Sequence, residues 1–143
     1  MTIDAPADAL QQTVLVAEDD VLVRMIVSDY LRGCGYRVIE ARNADDALRL
    51  LREDDTPVDV VLCGIAMGGS IDGFGLSTWV EANRPEIDMV LAGSIPRAAN
   101  AAAELCDDGP LPKPYEPRAV VDRIRRLKSA RAARLRARAA ETT

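Results

Sequence analysis

The stretch TVLVAEDDVLVRMIVSDYLRGCG, residues 13–35, holds one complete strand-then-helix unit, and the fold is read from how that unit recurs. Residues 14–17 are a short apolar run ending in Glu18, Asp19 and Asp20, the pattern of a buried strand. Beyond it Leu22, Met25, Ile26, Asp29 and Tyr30 recur at helical spacing, with Asp20 available as a cap and Gly33 and Gly35 as stops.

The same alternation continues along the chain. Residues 36–39 read as a second strand, and Asn43 caps a helix whose Ala44, Ala47, Leu48 and Leu51 make one apolar stripe, ended by Asp54, Asp55 and Pro57. Residues 58–63 are nearly continuous in apolar side chains, as a central strand covered on both faces should be, and Gly64 follows. A glycine-rich loop, residues 68–73, leads into a helix with Phe74, Trp79 and Val80 that stops near Pro85. Residues 89–92 are a fourth strand, and an alanine-rich helix runs from about Pro96 to Cys106. Asp107, Asp108 and Gly109 make a turn, a short fifth strand is expected around Leu111, and Pro117 opens a last helix with Val120, Ile124 and Leu127 facing inward. Five βα units around a parallel sheet result.

Length and composition agree. The chain has 143 residues, 48% of them apolar and 29% charged, enough for one domain with its own core. Aromatics are 3%, so aliphatic side chains must build that core, with Met25 and Met89 in it, Trp79 packing its helix on the sheet and Met67 beside the pocket. The first dozen residues have neither the basic flank nor the apolar stretch of a targeting signal, and no segment is long and apolar enough to span a membrane. Cys34, Cys63 and Cys106 are scattered singly and histidine is absent, so neither a disulfide framework nor a zinc site is readable, and a cytoplasmic location is expected. Residues 1–112 carry 8 Lys/Arg against 20 Asp/Glu, a balance of −12, while residues 113–143 carry 10 against 3, a balance of +7. Three regions follow: an N-terminal segment 1–12 expected to be disordered, a body 13–128 and a basic Ala/Arg-rich tail 129–143.

In doubly wound sheets ligands bind beyond the carboxyl ends of the strands. Those ends are Glu18 and Asp19, Gly64, Ala92 and Lys113. Paired carboxylates suit a hard divalent cation, and a lysine nearby suits a phosphoryl group. Each has a plainer role as well: acids after a strand cap the next helix, and an isolated lysine is a solvated charge.

VLVAEDD at 14–20, VDVVLCGIAM at 58–67, IDGF at 71–74 and LPKPY at 111–115 together resemble the receiver domain of two-component response regulators. The resemblance covers residues 13 to about 128 and implies a flavodoxin-like (βα)5 fold, a doubly wound five-stranded parallel sheet of order 2-1-3-4-5. It implies a magnesium site at Glu18 and Asp19, a phosphate contact from Lys113, and a cis bond between Lys113 and Pro114. The departures from the family pattern are as informative. Gly64 stands where an aspartate would take the phosphoryl group, and Ala92 and Pro110 stand at the switch positions of a Ser/Thr and a Phe/Tyr, with Ser94 near enough to substitute. Two carboxylates make a weak metal site, and Lys113 paired with Glu18 or Asp19 would lock the pocket without metal.

The expected function is that of a stand-alone, non-enzymatic receiver acting without phosphorylation at the usual site. Its partner would be a histidine kinase or another signalling protein, or a second copy through the face spanning Arg97 to Lys128. Two alternatives stand beside it: an ordinary phosphoacceptor receiver in which Gly64 has replaced a native aspartate, and a nucleic-acid-associated regulator using the basic tail. Against the latter, the tail has no aromatics and no second helix for a helix-turn-helix. A helical or frayed solvated extension is the plainest reading of that tail.

Overall fold

The computed structural model describes residues 12–53, 56–107 and 109–141. Asp54, Asp55, Asp108 and the segment 1–11 lie outside the described residues, as do 142 and 143.

Four parallel strands, β1 (Thr13–Ala17), β2 (Arg37–Ala41), β3 (Val60–Gly64) and β4 (Asp88–Ala92), form a sheet of order β2-β1-β3-β4. Five helices accompany them: α1 (Val21–Gly33), α2 (Ala44–Arg52), α3 (Gly73–Asn83), α4 (Ile95–Asp107) and α5 (Pro117–Glu141). This is the expected parallel flavodoxin-like α/β fold.

The central strands are apolar because both their faces are covered. On β1, Val14 and Val16 enter one core with α1, α4 and α5, while Leu15 and Ala17 enter a second with α2 and α3. β3 divides likewise, Val60 and Leu62 against Val61 and Cys63. Each fully buried aliphatic side chain contributes about 1.5–3 kcal/mol. Caps set the helix entries: Asp20 Oδ1 accepts the N–H of Leu22 and Val23 at 3.0 and 3.2 Å, and Asn43 Oδ1 that of Asp46 at 2.8 Å. Gly35, at φ +94°, takes the left-handed conformation that follows α1.

Several expectations are corrected. The buried stripe of α1 is Val23, Ile26, Val27, Tyr30 and Leu31, rotated from the one read in the sequence, so Met25 is 38% exposed; Met89, on β4, is half-buried against the core beneath α2 and α3. Eight of the thirteen residues of that helix are apolar and they fall on more than one side of it, which leaves its phase open until the sheet selects it.

The expected fifth strand is not formed among the described residues: 109–116 pair with no strand. Pro110, Pro112 and Pro114 leave two amide donors in that pentapeptide, and Leu111 N–H donates instead to Cys34 O at 3.1 Å. The segment lies against α1, where Tyr30 Oη donates to Tyr115 O at 3.0 Å and the two rings stack with centroids 5.9 Å apart. The Lys113–Pro114 bond is not cis.

With no strand beyond β4 among the described residues, the alanine face of α4 (Ala98, Ala99, Ala102, Ala103) settles beside α1, and α5 packs on both helices. This joins the C-terminal ends of α1 and α4 and bonds Cys34 to Cys106, 72 residues apart in sequence. Two cysteines read as solitary are thus paired, and the compartment inferred from unpaired thiols loses that support. The basic tail continues α5 as helix to Glu141, with most of its residues exposed.

A covalent link closing so long a loop stabilises mainly by restricting the unfolded chain. Cys34→Ala/Cys106→Ala, or full reduction, should lower stability by at most about 4 kcal/mol on chain-entropy grounds, read from urea unfolding. An unchanged midpoint would show that the bond is not formed in solution.

Candidate functional site

Strand register brings the candidate residues together. Ala17 pairs with Cys63 and Gly64 with Ala92, so Glu18, Gly64 and Ala92 end three adjacent strands. They border an open cleft that also takes in Asp19, Asp20, Ser94 and Lys128. Glu18 is half-buried and Asp19 exposed.

Gly64 is ordinary extended backbone; positive φ occurs at Gly35 and Gly69 among the described residues. A Cβ there would lie 3.4 Å from Glu18 Oε1 and 3.6 Å from Met67 Cγ, in normal contact, so packing does not demand glycine at 64. Residue 73 is different. A Cβ at Gly73 would lie 2.3 Å from Gly64 O, so only glycine lets the first turn of α3 close over the end of β3. Gly73 N–H donates to Ile65 O at 2.9 Å and fixes that approach.

Of the three consecutive carboxylates, Glu18 and Asp20 are each held by contacts of their own. Glu18 turns inward, where Oε2 accepts the N–H of Asp20 at 2.9 Å. Burial pushes its carboxyl up to about 7; that hydrogen bond opposes the rise, and Asp19 and Asp20 add to it. Asp20 is also penalised by burial, but the Lys128 ammonium and its two cap bonds outweigh this and hold its pKa below the usual range. Lys128 Nζ lies 2.5 Å from Asp20 Oδ2. Arg24 donates to Glu18 O at 2.8 Å and pins the backbone at the mouth.

Lys113 is not part of this arrangement. Its Nζ lies 3.0 Å from Asp107 Oδ1, and that carboxylate holds its ammonium above the usual lysine range. The expected pairing of Lys113 with Glu18 or Asp19 is therefore replaced by one with Asp107, because the 109–116 segment follows α1 rather than the sheet. Pro110 faces Gly35 rather than the cleft, and Ser94 Oγ accepts the N–H of Arg97 at 3.4 Å in the first turn of α4. Lys128, the lysine that does reach the cleft, lies more than 100 residues from Asp20 in sequence, and local spacing holds no signal of their meeting.

These donors do not fit a magnesium site. Glu18 Oε2 accepts a backbone N–H, Asp20 is engaged by a cap and a lysine, residue 64 has no side-chain oxygen to offer, and no group of three metal-ligating side chains converges among the described residues. The nearby Cys63 thiol is buried, donates to Gly64 O at 3.2 Å, and is pushed up to about 12 by burial with Glu18 and Asp72 adding, so it is no nucleophile. No described helix is long and apolar enough to cross a membrane.

Residues 14–125 match the family of response regulator receiver domains. The chain is similar to the transcriptional regulatory protein BaeR of Escherichia coli O6:H1, 27% identical over 135 residues that span 87% of this chain and 51% of BaeR. It is also similar to the two-component response regulator ARR12 of Arabidopsis thaliana, 36% identical over 104 residues, 68% of this chain and 17% of ARR12. The chain thus spans about half or less of these relatives. Among solved structures, a response regulator receiver domain protein from Clostridium thermocellum shares the fold with a TM-score of 0.55 at 18% identity, covering 83% of this chain and 98% of that one. A chain from the structure of histidine kinase ThkA in complex with response regulator TrrA does so with a TM-score of 0.53 at 22% identity, covering 59% and 71%.

The raised Glu18 value predicts a pH dependence. Between its ordinary value of 4.5 and about 7 the native state keeps a proton that the unfolded chain has released, so stability falls as pH rises through that window. Glu18→Gln keeps an oxygen for the Asp20 N–H and removes the charge. It should stabilise the protein at pH 8 by about 1–2 kcal/mol, after allowing for solvent screening of a half-exposed group, and change little at pH 4. Parallel urea titrations of both proteins should diverge only above pH 4.5.

Proposed function

The chain belongs to the response regulator receiver domain family, and from that premise we propose that it serves two-component signalling through protein contacts, without phosphoryl transfer at residue 64. The observation that carries this reading is the end of β3, where Gly64 offers no carboxylate to accept a phosphoryl group. The engagement of Lys113 by Asp107 supports it, since the family's phosphate contact is then missing as well. So does the unsuitability of Glu18, Asp19 and Asp20 as a magnesium set. Ala92 has no hydroxyl and Pro110 no aromatic ring, so the two side chains by which receivers report phosphorylation are lacking.

A module of this kind does no chemistry and is read by a partner. A histidine kinase or another signalling protein is the partner class, favoured by the fold shared with the ThkA–TrrA complex. The surface from Arg97 to Lys128, carried by α4 and the first half of α5, is the face for such contacts or for a second copy. One observation favours the alternative in which aspartate natively stands at 64: the space there admits a side chain. The codon in the native gene decides between them.

Acetyl phosphate with magnesium should leave the intact mass of the protein unchanged, and a stable phosphoryl adduct on a cleft residue would overturn the reading. Gly64→Asp tests lost chemistry apart from lost switching. The variant should fold, bind magnesium about tenfold more tightly, equivalent to about 1.4 kcal/mol of added attraction, and become able to accept a phosphoryl group. Amide exchange across residues 92–115 should stay unchanged on phosphorylation, because no group there contacts the two states differently. Strong rearrangement would show an intact switch, with Ser94 as its hydroxyl.

A further inference from the structure

α5 carries nine Arg/Lys against two Asp/Glu over residues 117–141, on a chain whose first 112 residues have a balance of −12. Its first half is fixed by packing. Val120, Val121 and Ile124 are buried, and Lys128 pairs with Asp20, which sets the direction in which the rest of the helix leaves the body. From residue 129 to 141 every side chain but Ala132 is exposed, and Leu135, the one large apolar group there, is 55% exposed. Arg123, Arg125, Arg126, Arg134, Arg136 and Arg138 have no carboxylate partner among the described residues. Arg123 and Arg126 at i,i+3, and Arg134 and Arg138 at i,i+4, repel each other along the helix. A polyanion laid against these arginines relieves that repulsion.

We propose that α5 beyond Asp122 is a sequence-independent docking surface for double-stranded DNA, held through phosphate contacts. Residues 123–138 hold eight cations over about 24 Å of helix, about one per 3 Å, close to the phosphate repeat of about 3.4 Å along one strand. At about 100° per residue Arg125 and Arg136 share one side of the helix, and Arg134 and Arg138 lie roughly opposite. A helix about 10–12 Å across fits the B-form major groove, about 12 Å wide, where phosphate walls flank it on both sides. Other polyanions match less. An anionic membrane takes up a helix by its apolar face, and here Arg131 and Arg138 interrupt the stripe that continues Val120 and Ile124. Single strands are held by stacking on aromatic rings, of which α5 has none, and the A-form RNA major groove is too narrow for a helix. The absence of a helix-turn-helix removes one mode of base readout and leaves phosphate contact untouched. The acidic body repels the same duplex, which confines contact to the helix. The surface owes nothing to residue 64, so its test is separate from that of phosphoryl transfer.

Fluorescence anisotropy of a labelled random-sequence duplex of about 20 base pairs, titrated with the full chain between about 50 and 200 mM NaCl, tests it. With about five phosphate contacts, log affinity should fall against log salt with a slope of about −4.5, a loss of about 500-fold over that range. Arg134→Gln/Arg136→Gln/Arg138→Gln changes three exposed side chains and keeps helix propensity nearly constant. It should weaken binding at least about tenfold at about 100 mM salt and flatten the slope by about 2–3. The same loss of charge on the other side of the sheet, Arg42→Gln/Arg49→Gln/Arg52→Gln, should leave affinity and slope unchanged. No binding at the lowest salt, binding that the tail variant leaves unaltered, or equal weakening by the control variant would overturn the proposal. So would tighter binding of the matching single strand, of an RNA duplex, or of vesicles of phosphatidylserine and phosphatidylcholine.

Discussion

Pro110, Pro112 and Pro114 remove the amide hydrogen from every second residue of the segment that follows α4, and much of the tertiary arrangement depends on this. One remaining donor, Leu111 N–H, is taken by Cys34 O, so the segment lies along α1 rather than beside β4. Among the described residues the sheet therefore ends at β4, whose residues are mostly half-buried. α4 comes to rest beside α1, and α5 becomes an outer helix packed on both. Cys34 meets Cys106 because those helix ends are brought together, and Lys113 is carried to Asp107 by the same displacement.

The cleft shows how a fold distributes three adjacent carboxylates. Glu18 avoids full charge by burial, Asp20 shares its oxygens between a helix cap and a lysine, and Asp19 remains in solvent. These are different physical solutions to one repulsion, and each ties the mouth to another part of the chain. Through Glu18 it is tied to the interior, through Asp20 to α1 and α5. A signalling surface built here is sensitive to how α5 sits.

Membership of the receiver family bears on what the departures mean. In a domain that signals by phosphoryl transfer, the acceptor, the metal ligands and the lysine act as one unit, and loss of one member leaves the others little to do. The glycine at 64, the lysine at Asp107 and the lysine at Asp20 form a consistent set in that light. The cleft holds an internal ion pair between Asp20 and Lys128.

The sequence by itself determined what depends on near neighbours. The two-faced apolar runs of β1 and β3 required a covered parallel sheet, Asp20 and Asn43 were legible as caps because a cap acts on amides two or three residues away, and the family resemblance followed from motifs in fixed order. Gly64 was visible as a missing carboxylate from its place after a strand. The phase of α1 was not visible, because apolar residues on most sides of a helix leave rotation to the surface it packs on. Only the tertiary structure decided that Cys34 bonds Cys106, that Lys113 leaves the cleft and that Lys128 enters it. Those are meetings between groups roughly 70 and 110 residues apart, or the result of one segment choosing α1 over β4, and such choices turn on packing and on the hydrogen-bond donors left over, which local spacing does not encode.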